Sequence, residues 1–141
     1  MSEQFNNAIN LAMESLAAGN DEEAKSFFNQ ALTVNPNSGF AKAGKGAATL
    51  LKFSLANVVS VASQSYTFFE QAYASCKDDE VELSKIRELI ANSAPGFTLS
   101  WYESAASHHR QYKDVEGSKK EFNNAKENII TFLSNILTLP G

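Results

Sequence analysis

The chain contains one cysteine, Cys76, so no disulfide can form within it. It does not need one. A chain of 141 residues, 43% of them hydrophobic, can bury a core large enough to hold itself together. A reducing compartment such as the cytoplasm fits this cysteine usage. Basic runs are also missing. Lys119-Lys120 is the only adjacent pair of Lys or Arg, and the net charge is −4. A surface built to track nucleic-acid phosphates is therefore not expected. Long apolar runs are absent, and no stretch of 18 apolar residues exists. Phe53 to Phe69 carries no charged side chain, yet Ser54, Asn57, Ser60, Ser63, Gln64 and Ser65 interrupt it, so it reads as a buried helix and not a membrane span. The opening residues, MSEQFNNAINLAMES, lack the basic and apolar segments of a signal peptide. Glycine-rich phosphate loops are missing too. Gly44 and Gly46 lie inside a helical pattern, where close packing is the simplest reason for glycine.

The three prolines, Pro36, Pro95 and Pro140, fall at expected breaks, and between them apolar residues recur at helical spacing. Seven helices are expected. The first runs from about Glu3 to Ala18 and the second from a cap at Asn20 or Asp21 to Asn35-Pro36. The third begins at a cap on Asn37 or Ser38 and reaches about Phe53, with Ser54 and Asn57 as break points before a fourth ending near Cys76. The fifth ends about Asn92, where Pro95-Gly96 marks a stop. The sixth covers about Thr98 to Tyr112, and the seventh Ser118 to Leu137. Short connections favour antiparallel neighbours in one all-α domain spanning residues 1–141.

Residues Phe5 to Ser38 span 34 positions. Within them Leu11 and Ala12, then Gly19, then Ala24, Phe28, Ala31 and Leu32, and finally Pro36 form an ordered pattern of small and large residues. Two antiparallel helices nest closely only where small side chains sit at the crossing, and Ala12, Ala24 and Ala31 supply such sites. This segment resembles a tetratricopeptide repeat (TPR), departing from it at Ala8 and Ser15, where the family favours larger residues. Phe69-Glu70-Gln71-Ala72-Tyr73 echoes Phe28-Asn29-Gln30-Ala31-Leu32 at an offset of 41 residues, not 34. The excess of seven is close to two helical turns. A degenerate second repeat over residues 39–76, with lengthened helices, is thus expected, and residues 80–137 supply further helices that can cap the array. The resemblance implies TPR-like hairpins in a short right-handed α-solenoid or compact bundle. It also implies a non-enzymatic adaptor, scaffold or chaperone-like module that binds a protein or peptide in a helical groove.

Family members that clamp acidic C-terminal peptides use Lys and Asn at the positions held here by Ile9 and Met13. The groove start is apolar instead, formed by Ile9, Met13 and Leu16, and suits an amphipathic helix or an extended hydrophobic segment. The alternative for Ile9 and Met13 is packing on the third helix. In Trp101-Tyr102 one ring can face the core while the other anchors a partner, so both join the candidate binding residues. Ile129-Ile130-Thr131-Phe132-Leu133 holds more apolar surface than one packing face needs, which makes the helix at 118–137 a candidate for homo-oligomer contacts. No catalytic constellation, metal site or cofactor is expected. His108 and His109 are adjacent, about 100° apart on a helix, and cannot easily share a metal. Asp21-Glu22-Glu23 and Asp78-Asp79-Glu80 fall at helix starts, where capping explains them.

Overall fold

A computed structural model describes residues 2–139; Pro140, one of the expected breaks, lies outside them. The described residues form six α-helices and no strands: α1 (Glu3–Ala17), α2 (Asp21–Val34), α3 (Gly39–Thr49), α4 (Val58–Ser75), α5 (Glu80–Gln111) and α6 (Ser118–Leu137). The all-helical reading of the sequence holds. The helix count does not, because the expected fifth and sixth helices are one.

The helix starts follow local chemistry. Side chains of Ser2, Asn20, Ser38 and Asp79 each accept a hydrogen bond from a backbone N–H three residues on, satisfying a donor the helix itself cannot. Gly19, at φ +76°, makes the left-handed turn between α1 and α2 that side-chain-bearing residues avoid. The passages from α2 to α3 (35–38) and from α4 to α5 (76–79) have the same length, and each ends on a capping Ser or Asp.

α3 is the axis of the fold. It packs on α1, α2, α4 and α5, and eight of its 11 residues are buried, all of them Gly, Ala or Thr. Small residues all round let four helices approach it. Three glycines make α3 a poor helix in isolation, so its neighbours hold it. A Cβ on Gly44 would lie 2.3 Å from the Phe28 ring of α2, and one on Gly46 would lie 2.7 Å from the Phe69 ring of α4. The core therefore has two lobes. One gathers Phe5, Ala12, Ala24, Phe28 and Ala31 around α1–α3, and the other gathers Phe69, Ile86, Phe97, Trp101 and Phe132 around α3–α6. Met13, Leu16 and Phe40 touch both.

Two expectations are corrected. α3 ends at Thr49, short of Phe53, so the seven extra residues of the second unit do not lengthen this helix. They sit in the connection 50–57 and in α4, where Asn57 Oδ1 accepts from the Ser54 N–H at 2.7 Å. Pro95 also fails to end a helix, because it and Ala91 lie on the solvent face of α5. The Ala91 carbonyl, which loses its partner to the proline, can be met by water. The opposite face carries Ile90, Ala94, Phe97 and Trp101 into the core on both sides of the proline. That burial outweighs the roughly 3 kcal/mol a proline costs inside a helix. No described helix is long and apolar enough to cross a membrane.

Candidate functional site

α1, α3 and α5 lie side by side, with α3 in the middle. The surface they share holds two clefts. The first, of about 370 Å³, is lined by Phe5, Ile9, Phe40, Val81 and Lys85 near the start of all three helices. Its floor is fixed by Glu82, whose Oε1 accepts from the Phe40 N–H at 2.8 Å and so ties α5 to the first turn of α3, beside the Ser38 cap. The second cleft, of about 520 Å³, is lined by Met13, Leu16, Leu50, Leu51, Phe53 and Phe97. It lies toward the opposite ends of α1 and α3 and beside the middle of α5.

The three α1 candidates thus come together on this surface: Ile9 in the first cleft, Met13 and Leu16 in the second. All three are half-buried, so they pack on the core and still present apolar surface. Packing on α3 and facing a cleft are compatible for these side chains. Trp101 is a correction. It is 2% exposed, against Phe97 with ring centroids 5.7 Å apart, and has no face to offer a partner protein. Tyr102 is the exposed ring of the pair, yet it leans on Phe122 at 5.7 Å, away from both clefts.

Phe40, Leu51, Phe53, Val81 and Lys85 were not anticipated in this site. A signal for part of it exists in the repeat spacing. Ala47 and Leu50, 34 residues after Met13 and Leu16, line the same cleft as those two. Val81 and Lys85 have no such signal, because α5 departs from the 34-residue register.

Cys76 is buried at the end of α4 and its thiol donates to the Ala72 carbonyl at 3.1 Å. Burial first, then the Glu82 and Asp79 carboxylates, push its pKa up to about 11, which keeps it a thiol and a poor nucleophile. His108 is exposed, while His109 pairs its Nδ1 with the Ser118 hydroxyl at 2.8 Å and stacks on Phe122. No group of three or more His, Cys, Asp or Glu side chains among the described residues is placed to hold a metal. Comparisons with protein-family models, with curated proteins and with solved structures give no match to this chain.

Proposed function

We propose that α1–α4 are two TPR-like hairpins, extended by α5, and that the protein is a non-enzymatic adaptor or scaffold. It holds a hydrophobic protein segment on the surface of α1, α3 and α5. The observation that carries this reading is the lining of the two clefts: Ile9, Met13, Leu16 and Phe40 half-buried, Leu51 and Val81 exposed, on three neighbouring helices. Large apolar side chains left open in concave sites mark contact surfaces on soluble proteins. An amphipathic helix could set residues one turn apart into each cleft, while polar groups at the rims, Asn6 and Lys85 in one and Asn92 and Ser93 in the other, meet its backbone or polar face.

A photo-crosslinking residue placed at Met13, at Leu51 and, as a control, at Asn29 on the outside of α2 tests this. The expected result is one protein crosslinked from both cleft positions and not from Asn29, with the Leu51 crosslink lost on Met13→Glu. Crosslinks that are equal from all three positions, or absent from both clefts, would refute the reading. Self-association through α6 is the second reading, favoured by Ile130 and Leu137, which are 63% and 84% exposed on that helix. Light scattering that gives a strict monomer at high concentration removes it.

A further inference from the structure

α5 has 32 residues, about 48 Å of helix, and its two halves have different neighbours. In the first half Glu82 bonds the Phe40 N–H and Ile86 lies against Gly39, so this half rests on α3. α3 then ends at Thr49. From Phe97, which meets Phe53 with centroids 5.2 Å apart, α5 runs with α6 through ring contacts to Phe132 and Phe122. Among the described residues the backbone of α6 lies beside α4 and α5 and beside no other helix. The second half of α5 and α6 thus form an arm that leaves the rest of the fold near Phe97.

The arm is not packed onto its neighbours along its whole length. A third cleft, of about 410 Å³, lies between Trp101, Ala105 and Ala125 of the arm and Leu55 and Val59 at the start of α4. It shares no residue with the two clefts above. Leu55 and Val59 are 40% and 55% exposed there.

The backbone of α5 is weakest just before the arm begins. Pro95 has no N–H, so the Ala91 carbonyl loses its helical partner, and both residues face solvent. Gly96 follows, and a Cβ there would meet nothing within 4 Å. Ser93 Oγ donates to the Leu89 carbonyl at 2.7 Å and Thr98 Oγ1 to the Pro95 carbonyl at 2.9 Å, a type of bond that bends helices. Helices curve with their water-facing carbonyls on the outside of the bend. Ala91 and Pro95 take that outer side, so bending carries the arm toward the face of Trp101 and Ala105, the face that lines the cleft. A bend of about 10° moves His109, thirteen residues past Gly96, by about 3 Å and Trp101 by only about 1 Å.

We infer that Pro95–Gly96 is a hinge, and that the arm from Phe97 to Leu137 swings on it to close the third cleft against Leu55 and Val59. The resting helix does not need freedom at this point; the swing does. Closure covers two apolar side chains that the resting structure leaves open, while Phe97 and Trp101, close to the pivot, keep their packing. The swing also reshapes the second cleft, because Asn92 and Ser93 line it before the hinge and Phe97 and Ser100 after it. Its bearing on partner binding rests on the adaptor reading, and the hinge itself does not.

Paired spin labels on the full chain read the swing. One goes at Val115→Cys on the tip of the arm and the other at Gln64→Cys on α4, both exposed, while the buried Cys76 stays unlabelled. Pulsed dipolar spectroscopy should give two populations, the second shorter by about 3 Å, the displacement of a 10° bend. Labels at Asn29→Cys and Gln64→Cys, both off the arm, should give one. Pro95→Ala combined with Gly96→Ala restores the helical ladder and should lower the shorter population at least about fivefold. Val59→Asn removes apolar surface from the landing site at an exposed position and should lower it by a similar factor, with the hinge intact. A single distance between positions 115 and 64 overturns the proposal. So do two populations between positions 29 and 64, or a distribution that either variant leaves unchanged.

Discussion

The two halves of the α1–α4 region reach the same packing by different routes. In the first, α2 places Ala24, Phe28 and Ala31 inward, each fully buried, and the Phe28 ring lies on Gly44. In the second, α4 places Ser65, Phe69 and Ala72 at the matching positions, again fully buried, and the Phe69 ring lies on Gly46. Three residues join α1 to α2, whereas eight join α3 to α4. The matched positions show that what repeats is the aromatic-on-glycine contact and its small flanking residues. The length between them is free to vary, because a connection at the surface absorbs the extra residues at little cost in closure entropy. Unit boundaries repeat as well: Asn35 and Cys76, 41 residues apart, each close the outgoing helix, and Ser38 and Asp79 each cap the next.

If the contacts are equivalent, breaking them should cost alike. Phe28→Ala and Phe69→Ala should each destabilise by about 3–5 kcal/mol, the range for emptying a buried aromatic site. Chemical denaturation measures both. A difference above about 2 kcal/mol would show that one hairpin, and not the pair, carries the fold. The glycine side of the contact is next. Gly44→Ala gains helix propensity, about 1 kcal/mol, but sets a methyl 2.3 Å from a ring that has no free space, so a net loss of about 2 kcal/mol is expected. Adding Phe28→Leu should restore part of that loss, because the smaller side chain makes room. No restoration would mean the damage lies elsewhere in α3.

The unit ends differ in chemistry, and pH separates them. Asn35 does not titrate. Cys76 does, and burial raises its thiol from 9.0 to about 11. A raised pKa means the folded state holds the proton more tightly. The stabilisation is fully present below pH 9 and is lost as pH rises toward 11, on the order of 2 kcal/mol for this group. Cys76→Ala should therefore flatten the fall in stability between pH 9 and 11 relative to the parent chain. Parallel curves would show that the thiol already ionises freely in the folded state. A smaller asymmetry sits at the crossing. Ser65 Oγ donates to the Gly46 carbonyl at 2.9 Å, whereas its counterpart Ala24 has no donor. Ser65→Ala should cost about 1 kcal/mol.

The all-helical fold, the caps at Asn20 and Ser38, and the α6 bounds were legible because each has a local cause: periodicity, a side-chain acceptor, a glycine turn. So were Ile9, Met13 and Leu16 as a shared apolar stripe, since α1 alone determines it. Val81, Lys85 and Phe53 were not, because they reach the clefts only through the way α5 crosses α3, which no local pattern encodes. Trp101 and Tyr102 show the same limit. Adjacent rings on one helix announce that one is buried, but which one depends on where α6 packs. The continuity of α5 was hidden for a related reason. Pro95-Gly96 is a strong local stop, and it is overruled by Ala94 and Phe97, whose burial belongs to the tertiary structure.

Glycine offers the finest test of that contrast between local and tertiary causes. Gly44 and Gly46 sit under aromatic rings, while a Cβ on Gly96 would meet nothing within 4 Å. Gly96 is exposed, lies within a helix and follows Pro95, so no packing reason keeps it there. Its effect is confined to the backbone: it widens the unfolded ensemble and weakens the helix at the point where the proline already removes a hydrogen bond. Gly96→Ala should therefore stabilise the protein by about 0.5–1 kcal/mol, the reverse of Gly44→Ala. A thermal-melt series of the two single variants and their double settles the sign. The sites lie on different helices and share no neighbour in the packing, so the effects should add, and the gain at Gly96 should survive in the Gly44→Ala background. A loss at Gly96 would mean that α5 needs freedom at its centre, making the proline-glycine pair a built-in bend and not a tolerated fault.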